Sequence, residues 1–172
     1  MRRLLVVVVL LAALAGPGRG QGGSRASFCT GAQLAGTFAV VPGSAGAGSI
    51  VYALRLTNRS ARTCSVTGLP VARLLDRARK PLPTHVHAAS PGALTAVLVI
   101  LAPRRSAKAT ARFSPDVPGP GEPTTTTQCE PAAYWLRITA RGGGTTTVRV
   151  KPPTPVCEHG QLQFTAYGKG QE

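Results

Sequence analysis

Ser106-Ala107-Lys108-Ala109-Thr110-Ala111-Arg112-Phe113 alternates polar side chains with small or apolar ones at every step. An extended strand is the conformation that puts residues i, i+2 and i+4 on one side, so Ala107, Ala109, Ala111 and Phe113 make a dry face. Ile50–Thr57 obeys the same rule, with Ile50, Tyr52, Leu54 and Leu56 turned away from Val51, Ala53, Arg55 and Thr57. So do Tyr134, Leu136, Ile138 and Ala140 against Trp135, Arg137, Thr139 and Arg141. Val148 and Val150 oppose Thr147 and Arg149, while Leu162, Phe164 and Ala166 oppose Gln163, Thr165 and Tyr167. Further strands are expected over Leu34–Val41, Val71–Leu75 and Leu94–Leu101, the last apolar on both faces and therefore central. Breakers separate the runs at Pro42–Gly48, Asn58–Arg62, Asp76–Pro83, Pro103-Arg104-Arg105, Pro115–Pro123, Gly142–Gly144 and Pro152–Pro155. The expected fold is all-β, an antiparallel, immunoglobulin-like β-sandwich of about 7–9 short strands.

Outward from these strands, the chain begins Met1-Arg2-Arg3 and runs without charge from Leu4 to Ala15. A basic start, a short apolar run and Ala13-Leu14-Ala15 match a secretory signal, cleaved after Ala15 or Gly20. The run falls short of the roughly 20 apolar residues a spanning helix needs. Residues 1–20 are thus expected to be a signal peptide, 21–27 a flexible leader, 28–168 one domain and 169–172 a tail. The mature protein is expected outside the cell, monomeric, without a transmembrane segment and loosely wall-associated. No cofactor is called for.

Four cysteines lie in the exported part, Cys29, Cys64, Cys129 and Cys157, none within C-x-x-C. An even number in an oxidising compartment implies two disulfides. Three connectivities are open, and nearest-neighbour pairing (29–64, 129–157) is expected because it closes the shortest loops.

The 172 residues carry 20 Lys and Arg against 6 Asp and Glu, a formal +14. Loss of Arg2, Arg3 and Arg19 with residues 1–20 lowers this by three, to +11. So few acids, with three histidines, leave little material for acid–base pairs or carboxylate metal cages. G-x-S-x-G, S-x-x-K, H-E-x-x-H and the P-loop are all absent. The weak metal candidates are His85 and His87, which share one face of a strand but lack a third ligand nearby in sequence. Asn58-Arg59-Ser60 matches a glycosylation sequon, although a strand-ending turn explains it equally.

The cations are the remaining signal. Arg55, Lys108, Arg112, Arg137, Arg141 and Arg149 fall on outward faces, with Trp135 among them as a stacking residue. They form a candidate contact surface for anionic envelope polymers such as a wall teichoic acid, an acidic glycan or lipid headgroups. The plainer alternative is a face kept soluble by like charge. Export disfavours nucleic acid as the partner.

Several strings, taken in order, resemble one family. They are Cys29-x4-Leu34, Tyr52-x-Leu54-x-Leu56-Thr57-Asn58, Thr63-Cys64-x-Val66-x-Gly68-x-Pro70, Leu74-Leu75-Asp76, Leu101-Ala102-Pro103 before Ser106-Ala107, and the final Cys129 and Cys157. Together they resemble the secreted actinobacterial domain of unknown function family 4232 (DUF4232). Two departures stand out: Arg104-Arg105 follows Leu-Ala-Pro where that family has glycine, and Leu69-Pro70 replaces an aromatic-Pro pair. The resemblance implies a secreted or lipid-anchored β-sandwich with two disulfides and supplies no catalytic residues. The expected function is that of a non-catalytic extracellular binding or structural module. An unidentified extracellular protein is the alternative partner, in a ligand or inhibitor role, and a metal-assisted enzyme using His85 and His87 is a third reading.

Overall fold

The alternation in Ser106–Phe113 is realised as a strand whose inward residues are all buried and whose Lys108 and Arg112 are exposed. In the computed structural model, residues 26–93, 97–124 and 129–170 are described. The signal peptide, most of the leader, the loop residues 125–128 and the last two residues lie outside them.

Eleven strands occur among the described residues, which form an all-β fold. They are β1 (Leu34–Val40), β2 (Ile50–Asn58), β3 (Cys64–Val66), β4 (Val71–Leu75), β5 (His85–Ala88), β6 (Val99–Leu101), β7 (Ser106–Phe113), β8 (Ala133–Thr139), β9 (Thr145–Thr154), β10 (Gln161–Phe164) and β11 (Gly168–Lys169). The main sheet runs β4-β8-β9-β1-β2-β7-β10-β5, with β11 on β7, while β3 and β6 form a separate ribbon. The sheet is mixed rather than purely antiparallel, because β1 pairs β9 and β5 pairs β10 in parallel. Its two ends are consecutive in sequence. The Leu82 N–H donates to Leu74 O at 2.9 Å, and the Leu74 N–H to Thr84 Oγ1 at 2.9 Å, so the sheet nearly closes on itself as a barrel.

Inside, aromatic rings set the packing. Phe38 lies 5.1 Å from Tyr52 and 6.3 Å from Phe164, and Tyr52 lies 5.2 Å from Phe113. These tilted contacts add to the burial of leucines from every long strand. The Tyr52 hydroxyl keeps a polar partner by donating to Pro152 O at 2.8 Å. The disulfides are Cys29–Cys64 and Cys129–Cys157, as nearest-neighbour pairing requires.

Several local expectations are corrected. Of the predicted strand Leu94–Leu101, residues 94–96 lie outside the described residues; of the rest Val99–Leu101 is a strand in the small ribbon, and Val97, Leu98 and Ile100 are exposed rather than central. β9 continues through Pro152 and Pro153 to Thr154, where a turn was expected. The pairing with β8 shifts register between Ala133 and Trp135, in the stretch facing those two prolines, which have no N–H to give. The shift leaves Ala133 buried and Tyr134 only half-buried. Tyr167 is buried, not outward, because β10 ends at Phe164 and the chain turns to donate the Tyr167 N–H to Gly68 O. At the ends, the Ser65 N–H donates to Ser27 O, and Lys169 pairs in β11, so pairing enters both the expected leader and the expected tail.

Candidate functional site

The seven predicted contact residues do not form one patch. Trp135, Arg137 and Arg149 come together on the outward face of β4, β8 and β9. Register puts Arg73, Arg137 and Thr147 in one row and Leu75, Trp135 and Arg149 in the next. The guanidinium of Arg79, from the turn after β4, lies 4.5 Å from the Trp135 ring centre, and that of Arg149 lies 4.8 Å away. Arg77 lies 5.9 Å from the Tyr134 ring. Guanidiniums over an aromatic face are held by its quadrupole while their N–H edges stay available to oxyanions. Arg73 faces Arg137 directly, a like-charge cross-strand pair that costs the sheet stability. Asp76, the acid of that turn, accepts from the Lys80 N–H at 2.7 Å.

Arg55 and Lys108 form a second basic centre, facing each other across β2 and β7. Beside them Arg104, Arg105 and Lys169 line a cleft of about 410 Å³ with Arg55, and no acid is among its lining residues. Arg104 sits at φ +66°, a left-handed conformation that a side-chain-bearing residue enters at a cost. The turn is kept without glycine because Asn58 grips it: Arg104 N–H donates to Asn58 O at 2.7 Å and Asn58 N–H to Arg105 O at 3.0 Å. The Asn58 amide is itself buried, donating to Arg62 O and Leu101 O and accepting from the Ser60 N–H and hydroxyl. The sequon asparagine is thus a structural corner. Arg112 and Arg141 stand apart; Arg112 donates to Ser49 Oγ at 3.0 Å, and Arg141 lies 5.4 Å from the Phe28 ring.

His85 and His87 do share one exposed face, on the edge strand β5, but neither joins a cluster of three potential ligands among the described residues. Such a cluster is found instead at Glu122, Glu130 and His159, whose donor atoms lie within 4.8 Å of one another. No sequence signal pointed there. Glu158, His159 and Gly160 adopt φ of 56°, 57° and 78° in succession, a left-handed turn that aims backbone N–H groups into one concavity. The buried Glu122 carboxylate fills it. It accepts from the N–H of Gly119 at 2.6 Å, of Glu158 at 2.8 Å and of His159. The His159 Nε2–H donates to Pro120 O at 2.9 Å, and Nδ1 lies 3.7 Å from Glu122.

Burial alone would raise the Glu122 carboxyl, but these backbone donors and His159 hold it below its ordinary value. Glu130 shifts upward through its own burial and then through the Glu122 charge. With its oxygens so occupied, Glu122 acts as a clasp tying the 115–124 loop to the Cys129–Cys157 disulfide, not as an open metal ligand. Four of the five described acids, Asp116, Glu122, Glu130 and Glu158, belong to this loop–disulfide region, and none of them lines the cleft of Arg55 and Lys169.

Among the described residues no helix is long and apolar enough to cross a membrane. A family model described as a domain of unknown function, DUF4232, matches residues 29–168. No curated protein matches the chain, and no solved structure does.

Proposed function

The chain belongs to the DUF4232 family of domains of unknown function, and we propose that it is an exported, monomeric, non-catalytic binding module of an actinobacterial cell envelope. Its near-closed sheet acts as a rigid immunoglobulin-like frame, and the ligand is an anionic envelope polymer. The observation that carries this is the pair of guanidiniums, Arg79 and Arg149, over Trp135, with Arg73 and Arg137 in the adjoining row. A strand repeats its outward positions every 6.6–6.8 Å or so, which suits a polymer bearing regularly spaced negative groups. Each contact is weak and exposed, so affinity comes from their sum and is sensitive to salt.

Retention on isolated cell wall and on poly(glycerol phosphate), measured at two ionic strengths, tests the proposal. Binding is expected to fall roughly tenfold or more between about 50 and about 300 mM salt. Trp135→Ala and the pair Arg79→Ser/Arg149→Ser should each weaken it at low salt. Salt-independent retention, or none, removes the reading. A single stoichiometric protein captured from culture medium in place of the polymer would instead favour a protein-ligand role.

A further inference from the structure

A strip of apolar side chains stays exposed along the small ribbon next to the basic cleft. Ile100 is 59% exposed, Leu98 47% and Phe28 39%. β3 lies between them. Phe28 bridges Ser65, and Ser65 pairs with Ile100, so the three stand level in one row and point to one side. Leu98, immediately before β6, adds a further exposed apolar side chain. The Ser65 hydroxyl is turned to the chain itself, donating to Ala26 O and Ser27 O, and the Cys29–Cys64 disulfide fixes Phe28 against β3.

Cations border this strip at both ends. Arg141 lies over the Phe28 ring, and Ile100 itself forms part of the rim of the cleft that holds Arg55, Arg104, Arg105 and Lys169. A soluble polyanion would engage the cleft and leave the three apolar side chains in water. A surface that offers phosphates with hydrocarbon just beneath satisfies both. We propose that this edge docks on an anionic lipid bilayer, with headgroup phosphates in the Arg55–Lys169 cleft and Phe28, Leu98 and Ile100 seated at the headgroup–acyl boundary. The proposal rests on the envelope location argued above but on none of the residues around Trp135.

Flotation of the purified full chain with vesicles separates the outcomes. Phosphatidylcholine vesicles and vesicles containing phosphatidylglycerol are compared; residues 1–25 are common to every protein compared. Wild type should bind the anionic vesicles preferentially, with affinity rising as the phosphatidylglycerol fraction rises. Leu98→Ser/Ile100→Ser should weaken this by about tenfold or more. Arg104→Ser/Arg105→Ser should weaken it by roughly twenty-five-fold, about fivefold per cation. Trp135→Ala should leave vesicle binding unchanged while reducing retention on wall polymer, so the two proposals fail separately. All the substituted side chains in the strip are exposed, and the wild-type titration stands alone should a variant misfold. Equal binding to neutral and anionic vesicles, or unchanged binding by the Leu98/Ile100 pair, overturns the proposal. Complete displacement by millimolar glycerol phosphate would assign the cleft to a soluble phosphate, and a dimer lost in the Leu98/Ile100 variant would assign the strip to a second copy; either also overturns it.

Discussion

Glu122 answers to two opposed demands: burial penalises its charge, and the backbone donors around it reward the same charge. The second prevails, since its carboxyl is held below the ordinary value. Its contribution to stability is therefore present above the unfolded carboxyl pKa and lost as pH falls through the folded one. Glu130 has the opposite sign. With its value raised by burial and by Glu122, its charged form detracts from stability above the folded pKa, and protonation relieves this. Glu122→Gln is expected to cost about 2 kcal/mol at neutral pH, with the deficit shrinking as pH falls through the folded carboxyl's lowered value. Glu130→Gln should stabilise by about 0.5 kcal/mol at neutral pH, a gain that disappears by about pH 4. Urea unfolding of both variants across that range checks the two slopes; parallel pH profiles for wild type and variants would refute the assignment.

Among the elements, the turn Cys157–Gly160 is the most demanding. At Gly160, φ is +78° and an added Cβ would run into the Pro83 carbonyl oxygen, so Gly160→Ala meets both backbone strain and a collision with the segment before β5. A loss of about 3 kcal/mol or more is expected. Gly43→Ala, at φ +73° with open space around it, should lose only about 1 kcal/mol. Comparing their urea midpoints separates collision from conformation. This turn also marks where sequence reading stops. Strands β2 and β7 are legible because Ala107 to Phe113 alternates without exception and Ile50 to Leu56 keeps its large apolar side chains on one face, and hydrophobic periodicity reports burial directly. β3 escaped notice because Cys-Ser-Val is too short to show a period. Leu94–Leu101 misled because an apolar run looks alike whether a sheet or water surrounds it. The Glu122 clasp depends on left-handed backbone at Glu158 and His159, a conformation their side chains do not favour and composition does not reveal. The arginines of β8 and β9 could be assigned to a face, yet Arg73 and Arg79 join them only through strand pairing and the turn after β4.

For the molecule as a whole, two disulfides clamp opposite features: Cys29–Cys64 joins the segment before β1 to the small ribbon, and Cys129–Cys157 secures the acidic loop region. The loops they close span separations of 35 and 28 residues, which in the chain-entropy model is about 3–4 kcal/mol each. Replacing either pair by serine should lower the melting temperature by roughly 6–12 °C. Calorimetry of the two double variants measures this, and an unchanged transition in either would mean that pair constrains little. The near-closure of the sheet spreads such losses through one cooperative unit. The gathering of Asp116, Glu122, Glu130 and Glu158 in one region has a separate consequence. Residues 113–136 and 152–168 hold no lysine or arginine, so positive charge is unevenly spread along the chain, and a negatively charged surface exerts a torque on the protein during approach. The molecule is turned before it touches, basic side foremost, so that a larger share of diffusive collisions arrive already aligned.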